Sequence, residues 1–300
     1  MPQDREPLEL TAQDGRLHGW ASAMSLGSTF LMLAAVAYAL RSIDPTHLLA
    51  MVPARPAFWL TFAASYLCVP AAEWVIYRRL WKLPAGCIAP LLRKLVCNEL
   101  LLGYLGEAYL YGWARRHVDP ASAPFGAIKD VAILSAIAGN GVALAMLALV
   151  WPFVEASQLG LDSRTVTWSL ALVLASSIAI MLLRRRVFTL DRSDLLFIFG
   201  MHLVRIFASM GLTALLWHLV LPGVHLQWWL FLATLRMLIS RLPLIPNKDV
   251  VFAGVAVFTL GHEAQIAELM AMLASLVVLT HVAVGVGLVV RDLLVREQRG

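Results

Sequence analysis

The chain has 300 residues, of which 60% are hydrophobic and 14% charged, and its mean hydropathy is +0.76. A soluble core cannot enclose that share of apolar surface, so the composition excludes an ordinary soluble domain and predicts an integral membrane protein. The net charge of +5 sits in connecting segments, where it sets membrane orientation, and no basic-aromatic pattern suggests nucleic acid as a partner.

Residues 1–19 form a polar segment whose acidic side chains outnumber the basic ones, which is the wrong sign for a signal peptide. Trp151-Pro152 is expected to close the third membrane span and Arg291 the sixth, before a basic tail at 291–300. The apolar runs long enough to span a bilayer lie at about 20–40, 57–77, 127–150, 166–183, 195–219 and 266–290.

Two further apolar stretches, at 88–117 and 228–260, are interrupted where a spanning helix would be uniform. The first is interrupted by Gly103 and Gly106 and by the carboxylates of Glu99 and Glu107, and the second breaks at the sequence LPLIPNKD. About 12 residues on either side of Gly103 give only ~18 Å of helix, against ~30 Å of hydrocarbon. We predict that both stretches are re-entrant hairpins, which enter the membrane and return to the side they left.

The basic clusters of the chain lie at 78–94, 115–129, 184–192 and 291–299. They share one side of the membrane only if both hairpins return, and the positive-inside rule then places both termini in the cytoplasm. The order span, span, hairpin, span occurs twice, at 20–150 and, with opposite orientation, at 166–290. The predicted fold is therefore all-α: a polytopic integral membrane protein with about six transmembrane helices plus two re-entrant helical hairpins in an inverted repeat.

Two motifs carry a family resemblance. They are GYLGEAYLYGWARR, with Gly103, Gly106 and Glu107, and RLPLIPNKDVVFAGVAVFTLG, with Pro243, Pro246 and Gly254. In these motifs and in its layout over about 20–290, the chain resembles the lysylphosphatidylglycerol synthase/flippase transmembrane family. The resemblance implies a polytopic protein with short broken helices in each half. It also implies a lipid-translocating membrane module alone, because no soluble aminoacyl-transferring domain is expected.

Charged residues inside apolar stretches are the candidate binding residues, because such charges usually face a protein interior or a wet cavity. Arg205 lies near the middle of the fifth span, where its guanidinium would bind a phosphate or carboxylate, or form a structural pair with Glu73, Glu107 or Asp249. Glu107 opens a half-helix, where it would bind a headgroup amine, carry a proton or favour the helix dipole. Glu99 would share a proton with it or lie near the cytoplasmic surface.

The second interrupted stretch supplies four more candidates. Lys248 would attract an anionic headgroup at the floor of the hairpin, and Asp249 would join it there or cap the following helix. Arg236 and Arg241 would add positive charge along the preceding arm. Because they are five positions apart on a helix, one of them is free to reach the membrane surface.

No catalytic, metal or cofactor motif is present: His262-Glu263 lacks the second histidine of a zinc helix, and the three cysteines have no metal or redox spacing. The leading hypothesis is a transporter-like lipid flippase or lipid-binding protein. It would hold a charged lipid headgroup, of a phospholipid or a polyprenyl phosphate, between two opposed hairpins. The alternatives are an integral membrane enzyme acting on a lipid-linked substrate and a non-transporting scaffold. We expect a bacterial-type inner membrane, and a homo-oligomer is left open.

Two smaller expectations concern packing. Gly139-Asn140-Gly141 and Gly285-x-Gly287 fall late in corresponding helices of the two halves, and close helix packing is their default explanation. Tryptophans near the ends of spans are expected to be interfacial anchors, namely Trp20, Trp151, Trp228 and Trp229.

Overall fold

A computed structural model describes residues 52–84, 87–100, 105–119, 123–157, 188–241 and 263–297, together with Phe252 and Ala256. All regular structure in these ranges is helical. We number the helices α1 Pro56–Trp81, α2 Ala89–Leu100, α3 Leu105–His117, α4 Pro124–Ser157, α5 Arg192–Val220, α6 Leu226–Arg241 and α7 Glu263–Glu297. The expected spans at 20–40 and 166–183 and the break of the second hairpin lie outside the described residues.

Helices long and apolar enough to cross a membrane occupy Pro56–Trp81, Pro124–Met146, Arg192–Val220 and Glu268–Leu294. They coincide with the second, third, fifth and sixth expected spans, so the prediction of an all-helical membrane protein is confirmed for these elements. Large apolar side chains remain exposed along them, among them Leu60, at 72%, and Val204, at 61%. Such side chains suit a surface that contacts lipid chains rather than water.

The chain forms two compact units, and the larger one is built around α5. It contains α1, α4, α5, α6 and the first part of α7. Helix α5 packs against α1, α4 and α6, and α6 also contacts α4. One side of the middle of α5 therefore faces other helices, while side chains on its other side, such as Val204, stay exposed.

Helices α1 and α5 run antiparallel. Near the end of α1, Nε of Arg79 lies 3.0 Å from a carboxylate oxygen of Asp194, in the first turn of α5. The Arg79 guanidinium also lies over the ring of Phe197, 4.3 Å from its centroid. Further along, the Cys68 thiol donates to the backbone carbonyl of Arg205, with 3.6 Å between the heavy atoms. These contacts fix the register of α1 against α5.

Helix α4 runs parallel to α5 and holds its beginning through Asp130, whose side chain is fully buried. One carboxylate oxygen of Asp130 accepts hydrogen bonds from the backbone N–H groups of Thr189, at 2.7 Å, and Leu190, at 2.8 Å. The other lies 3.2 Å from Nζ of Lys129, which also donates to the Thr189 hydroxyl at 3.1 Å. A Cβ at Gly126 would lie 3.0 Å from the Thr189 side chain, so only a small residue allows this approach.

The smaller unit contains α2, α3 and the last part of α7. Helices α2, of 12 residues, and α3, of 13 residues, pack against each other in antiparallel fashion. The backbone N–H of Gly106 donates to the Asn98 side-chain oxygen at 2.7 Å, and a Cβ at Gly106 would collide with the Lys94 carbonyl oxygen. The stretch at 88–117 is thus two short helices, as its sequence predicts; their re-entry into the membrane stays a prediction.

Two expected helix ends are wrong. Helix α4 continues through Trp151 and Pro152 to Ser157, because a proline removes only one backbone donor and membrane helices tolerate that loss. Helix α7 continues past Arg291 to Glu297. A charged residue marks the end of the apolar surface, but arginine is a good helix former and does not end the helix itself.

One packing expectation is also wrong, and another stays a prediction. A Cβ at Gly141 or Gly287 would meet no heavy atom of the described structure within 4 Å, so the described helices do not supply the close packing expected at these glycines. Trp229 is fully buried and packs against Trp217, with ring centroids 5.7 Å apart, so it belongs to the core rather than to an interfacial belt. Its neighbour Trp228 is 47% exposed, as an anchor should be.

Candidate functional site

Arg205 lies at the middle of α5, the helix around which the larger unit is built. Its side chain is half-buried. One terminal nitrogen donates to the hydroxyl of Ser135 on α4 at 3.0 Å. The Nε of Arg205 is buried and has no hydrogen-bond partner among the described residues. The guanidinium therefore keeps a donor that the described helices do not use.

The surroundings of Arg205 are polar for the interior of an apolar unit. Glu73 on α1 is buried, at 8% exposure, and acts electrostatically on the Arg205 guanidinium. One turn before Arg205, His202 is buried and its Nε2 donates to the Val131 carbonyl oxygen at 3.1 Å. Glu73 is thus the suggested partner whose charge acts on Arg205, and a direct ion pair between them stays a prediction.

A second group of buried charges lies in the smaller unit, where α2 carries Arg93 and Lys94 side by side. Both residues are only 6% exposed. Nζ of Lys94 lies 3.3 Å from a carboxylate oxygen of Glu107 on α3. A terminal nitrogen of Arg93 lies 2.8 Å from a carboxylate oxygen of Asp292 on α7. Each cation therefore has an acidic partner on a different helix, and we call these four residues the hairpin charge cluster.

Tyr109 on α3 completes the surroundings of Arg93, whose guanidinium lies over the tyrosine ring, 5.5 Å from the centroid. Burial alone would lower the pKa of Arg93, but Tyr109 and Asp292 outweigh it and raise that pKa. The guanidinium therefore keeps its charge despite its burial. It ties α2 to α3 and to the end of α7 within the unit.

The other expected site residues fall elsewhere. Glu99 is exposed on α2, and its position near the cytoplasmic surface stays a prediction. Arg236 is exposed on α6, and its guanidinium lies 5.9 Å from the ring centroid of Phe252. Arg241 is the last residue of α6, while Lys248 and Asp249 lie outside the described residues.

Three buried charged residues were not expected from the sequence. Arg93 and Lys94 counted only as part of a basic cluster, although the apolar residues around them in LLRKLVC were a signal of burial. Asp130 follows Lys129 near the start of an apolar run and would pass for a polar residue at a helix end. Only the fold shows that its carboxylate accepts two backbone hydrogen bonds from a distant segment.

Within the described ranges, histidine, cysteine and acidic side chains form no group that could hold a metal ion. The three cysteines, Cys68, Cys87 and Cys97, are free thiols. No protein-family model, curated protein or solved structure matches this chain.

Proposed function

We propose that this membrane protein binds the charged headgroup of a membrane lipid and moves it between the leaflets of the bilayer. The observation that carries the proposal is the guanidinium of Arg205, held halfway along an apolar helix with a buried donor that no described group accepts. Placing a charge at that depth in a membrane costs at least ~2.5 kcal/mol of free energy, so an arginine without a function there would only destabilise the protein.

The chemistry of Arg205 favours a phosphate. A guanidinium presents several N–H donors in one plane and matches the oxygens of a phosphate in pairs. Ser135 occupies one terminal nitrogen, which orients the group and leaves the buried Nε for a ligand. Glu73 balances the charge when no ligand is bound, and the exposed apolar side chains of the spans leave the acyl chains in the lipid.

The remaining features of the proposal follow from the sequence. The protein has six transmembrane helices and two re-entrant hairpins in an inverted repeat, resides in a bacterial-type inner membrane and keeps both termini in the cytoplasm. It acts as the lipid-translocating module that the family resemblance implies. The two short helices α2 and α3 support the first hairpin, because neither is long enough to cross ~30 Å of hydrocarbon.

The test is lipid movement in proteoliposomes. Fluorescent phospholipids and fluorescent polyprenyl phosphates are placed in both leaflets, and a membrane-impermeant reductant quenches those in the outer one. The wild-type chain should raise the quenched fraction for at least one lipid above that in empty vesicles. Arg205→Gln should lower the rate at least about tenfold, since a lost charged hydrogen bond of ~1.5–3 kcal/mol acts on the bound state.

The matched control is Arg192→Gln, which makes the same change on the same helix but at its exposed first residue. This variant should move lipid at the wild-type rate. An unchanged leaflet distribution for every lipid tested would contradict the proposal of transport. Equal losses in Arg205→Gln and Arg192→Gln would contradict the role of Arg205.

A further inference from the structure

The hairpin charge cluster is electrically neutral, with two cations on α2 balanced by one carboxylate on α3 and one on α7. Arg93 and Lys94 are buried. Breaking either pair inside apolar surroundings without a replacement would leave a buried charge unbalanced, which is strongly unfavourable. Any ligand that enters the cluster must therefore bring both signs of charge.

Glu107 is the member of this cluster that keeps an unused hydrogen-bond acceptor. One of its carboxylate oxygens faces Lys94 at 3.3 Å, while the other, Oε2, is buried and accepts no hydrogen bond from any described residue. A buried acceptor without a donor costs free energy in the unliganded protein. The Glu107 side chain as a whole is nevertheless 22% exposed, so it lies at the edge of the hairpin rather than deep inside it.

We propose that Lys94 and Glu107 bind the headgroup of a phospholipid that carries a primary ammonium next to its phosphate, as phosphatidylethanolamine does. The phosphate takes the place of Glu107 beside Lys94, and the ammonium donates N–H bonds to Oε2 of Glu107. This inference rests on the proposed lipid-handling function and narrows its substrate to zwitterions with N–H donors.

Two competing headgroup classes fit less well. A phosphatidylglycerol headgroup would satisfy Lys94 but leave the Glu107 carboxylate, whose Oε2 is buried, without a cation. A choline headgroup would restore neutrality, but its quaternary nitrogen has no N–H to donate to Oε2. A primary ammonium has three N–H donors. Of these headgroups, only one with a primary ammonium both keeps the charges balanced and donates a hydrogen bond to Oε2 of Glu107.

The rest of the hairpin holds Lys94 and Glu107 in place. Arg93 is anchored by Asp292 and Tyr109, and the Gly106 N–H is bonded to Asn98 one position before Glu107. Lys94 and Glu107 therefore lie on two helices that are held together by these contacts, rather than on a loop. We assign Arg93, Tyr109 and Asp292 positioning roles, with no contact to the headgroup.

The experiment measures competition for the purified full-length chain in detergent, read by native mass spectrometry. The probes share their acyl chains and differ only in the headgroup: phosphatidylethanolamine, its mono- and dimethylated forms, phosphatidylcholine and phosphatidylglycerol. We expect phosphatidylethanolamine to bind at least about tenfold more tightly than phosphatidylcholine, or about 1.4 kcal/mol, with a stepwise decline on methylation. Glu107→Gln should remove this preference, and Glu268→Gln, on an exposed position of α7, should keep it.

The methylation series uses only the wild-type chain, so a variant that fails to fold does not leave the question open. Equal binding of phosphatidylethanolamine and phosphatidylcholine would overturn the inference, as would tighter binding of phosphatidylglycerol or a preference that survives Glu107→Gln. Lipid movement in proteoliposomes decides the proposed function separately: transport without amine preference overturns only this inference, and no movement of any lipid overturns the function.

Discussion

Removing the Asp130 carboxylate should loosen the start of α5, the helix that carries Arg205. Asp130 accepts two backbone hydrogen bonds and pairs with Lys129 while being fully buried. Hydrogen bonds to a charged group contribute ~1.5–3 kcal/mol each. Asp130→Ala leaves both backbone N–H donors without an acceptor, so it should lower the stability by about 3–5 kcal/mol. Asp130→Asn keeps one oxygen as an acceptor and should lower the stability by about 1–3 kcal/mol.

The assay is thermal unfolding in detergent, followed by tryptophan fluorescence. At roughly 2 °C per kcal/mol for a chain of this size, the midpoint should fall by about 6–10 °C for Asp130→Ala and by about 2–6 °C for Asp130→Asn. Asp191→Asn is the matched control, since Asp191 occupies the N-cap of α5 but its side chain makes no capping hydrogen bond. Wild-type midpoints for both Asp130 variants, or a larger fall for Asp191→Asn, would refute the reasoning.

Two further predictions use neighbouring residues as controls in the same unfolding assay. Gly106→Ala should destabilise the protein by about 1–3 kcal/mol, because the new Cβ would collide with the Lys94 carbonyl oxygen. Gly112→Ala should stabilise it by about 0.5–1 kcal/mol, because a Cβ there meets nothing within 4 Å. Equal effects of the two substitutions would contradict the close packing of α2 on α3. Trp229→Ala should lower the stability by about 3–5 kcal/mol, because that ring is fully buried. Trp228→Ala, at a 47% exposed position, should lower it far less. The reverse order would place Trp229 at the membrane interface.

The membrane-spanning helices could be predicted from the sequence because their signal is local. A run of about 20 apolar residues needs no partner to be recognised, and the expected 57–77 and 195–219 lie inside α1 and α5. The short lengths of α2 and α3 were predictable for the same reason, since the glycines near their junction interrupt the apolar run. Arg205 could be predicted as a candidate site residue because burying a single charge within an apolar run costs free energy whatever the fold.

The partners of the charges could not be predicted, because an ion pair depends on which helices meet. Asp292 follows the arginine that was expected to end the sixth span, and nothing near it in the chain points to Arg93. Lys94 adjoins Arg93 in a basic cluster that the positive-inside rule assigns to the membrane surface. That rule concerns the orientation of the whole protein in the membrane. It cannot distinguish a lysine on the surface from one that is buried against a neighbouring helix.

Both units hold a buried or half-buried cation on which a carboxylate from another helix acts: Lys94 lies 3.3 Å from Glu107, and Glu73 acts electrostatically on Arg205. Such pairs contribute little net stability, because desolvation offsets most of the attraction between the charges. Apolar residues of the same size would hold the helices together at least as well. We propose instead that a ligand takes over these charges, since a ligand with both signs of charge does so without leaving either partner unbalanced in hydrocarbon. On this proposal the zwitterionic headgroup argued for Lys94 and Glu107 also suits Arg205, on which Glu73 acts electrostatically.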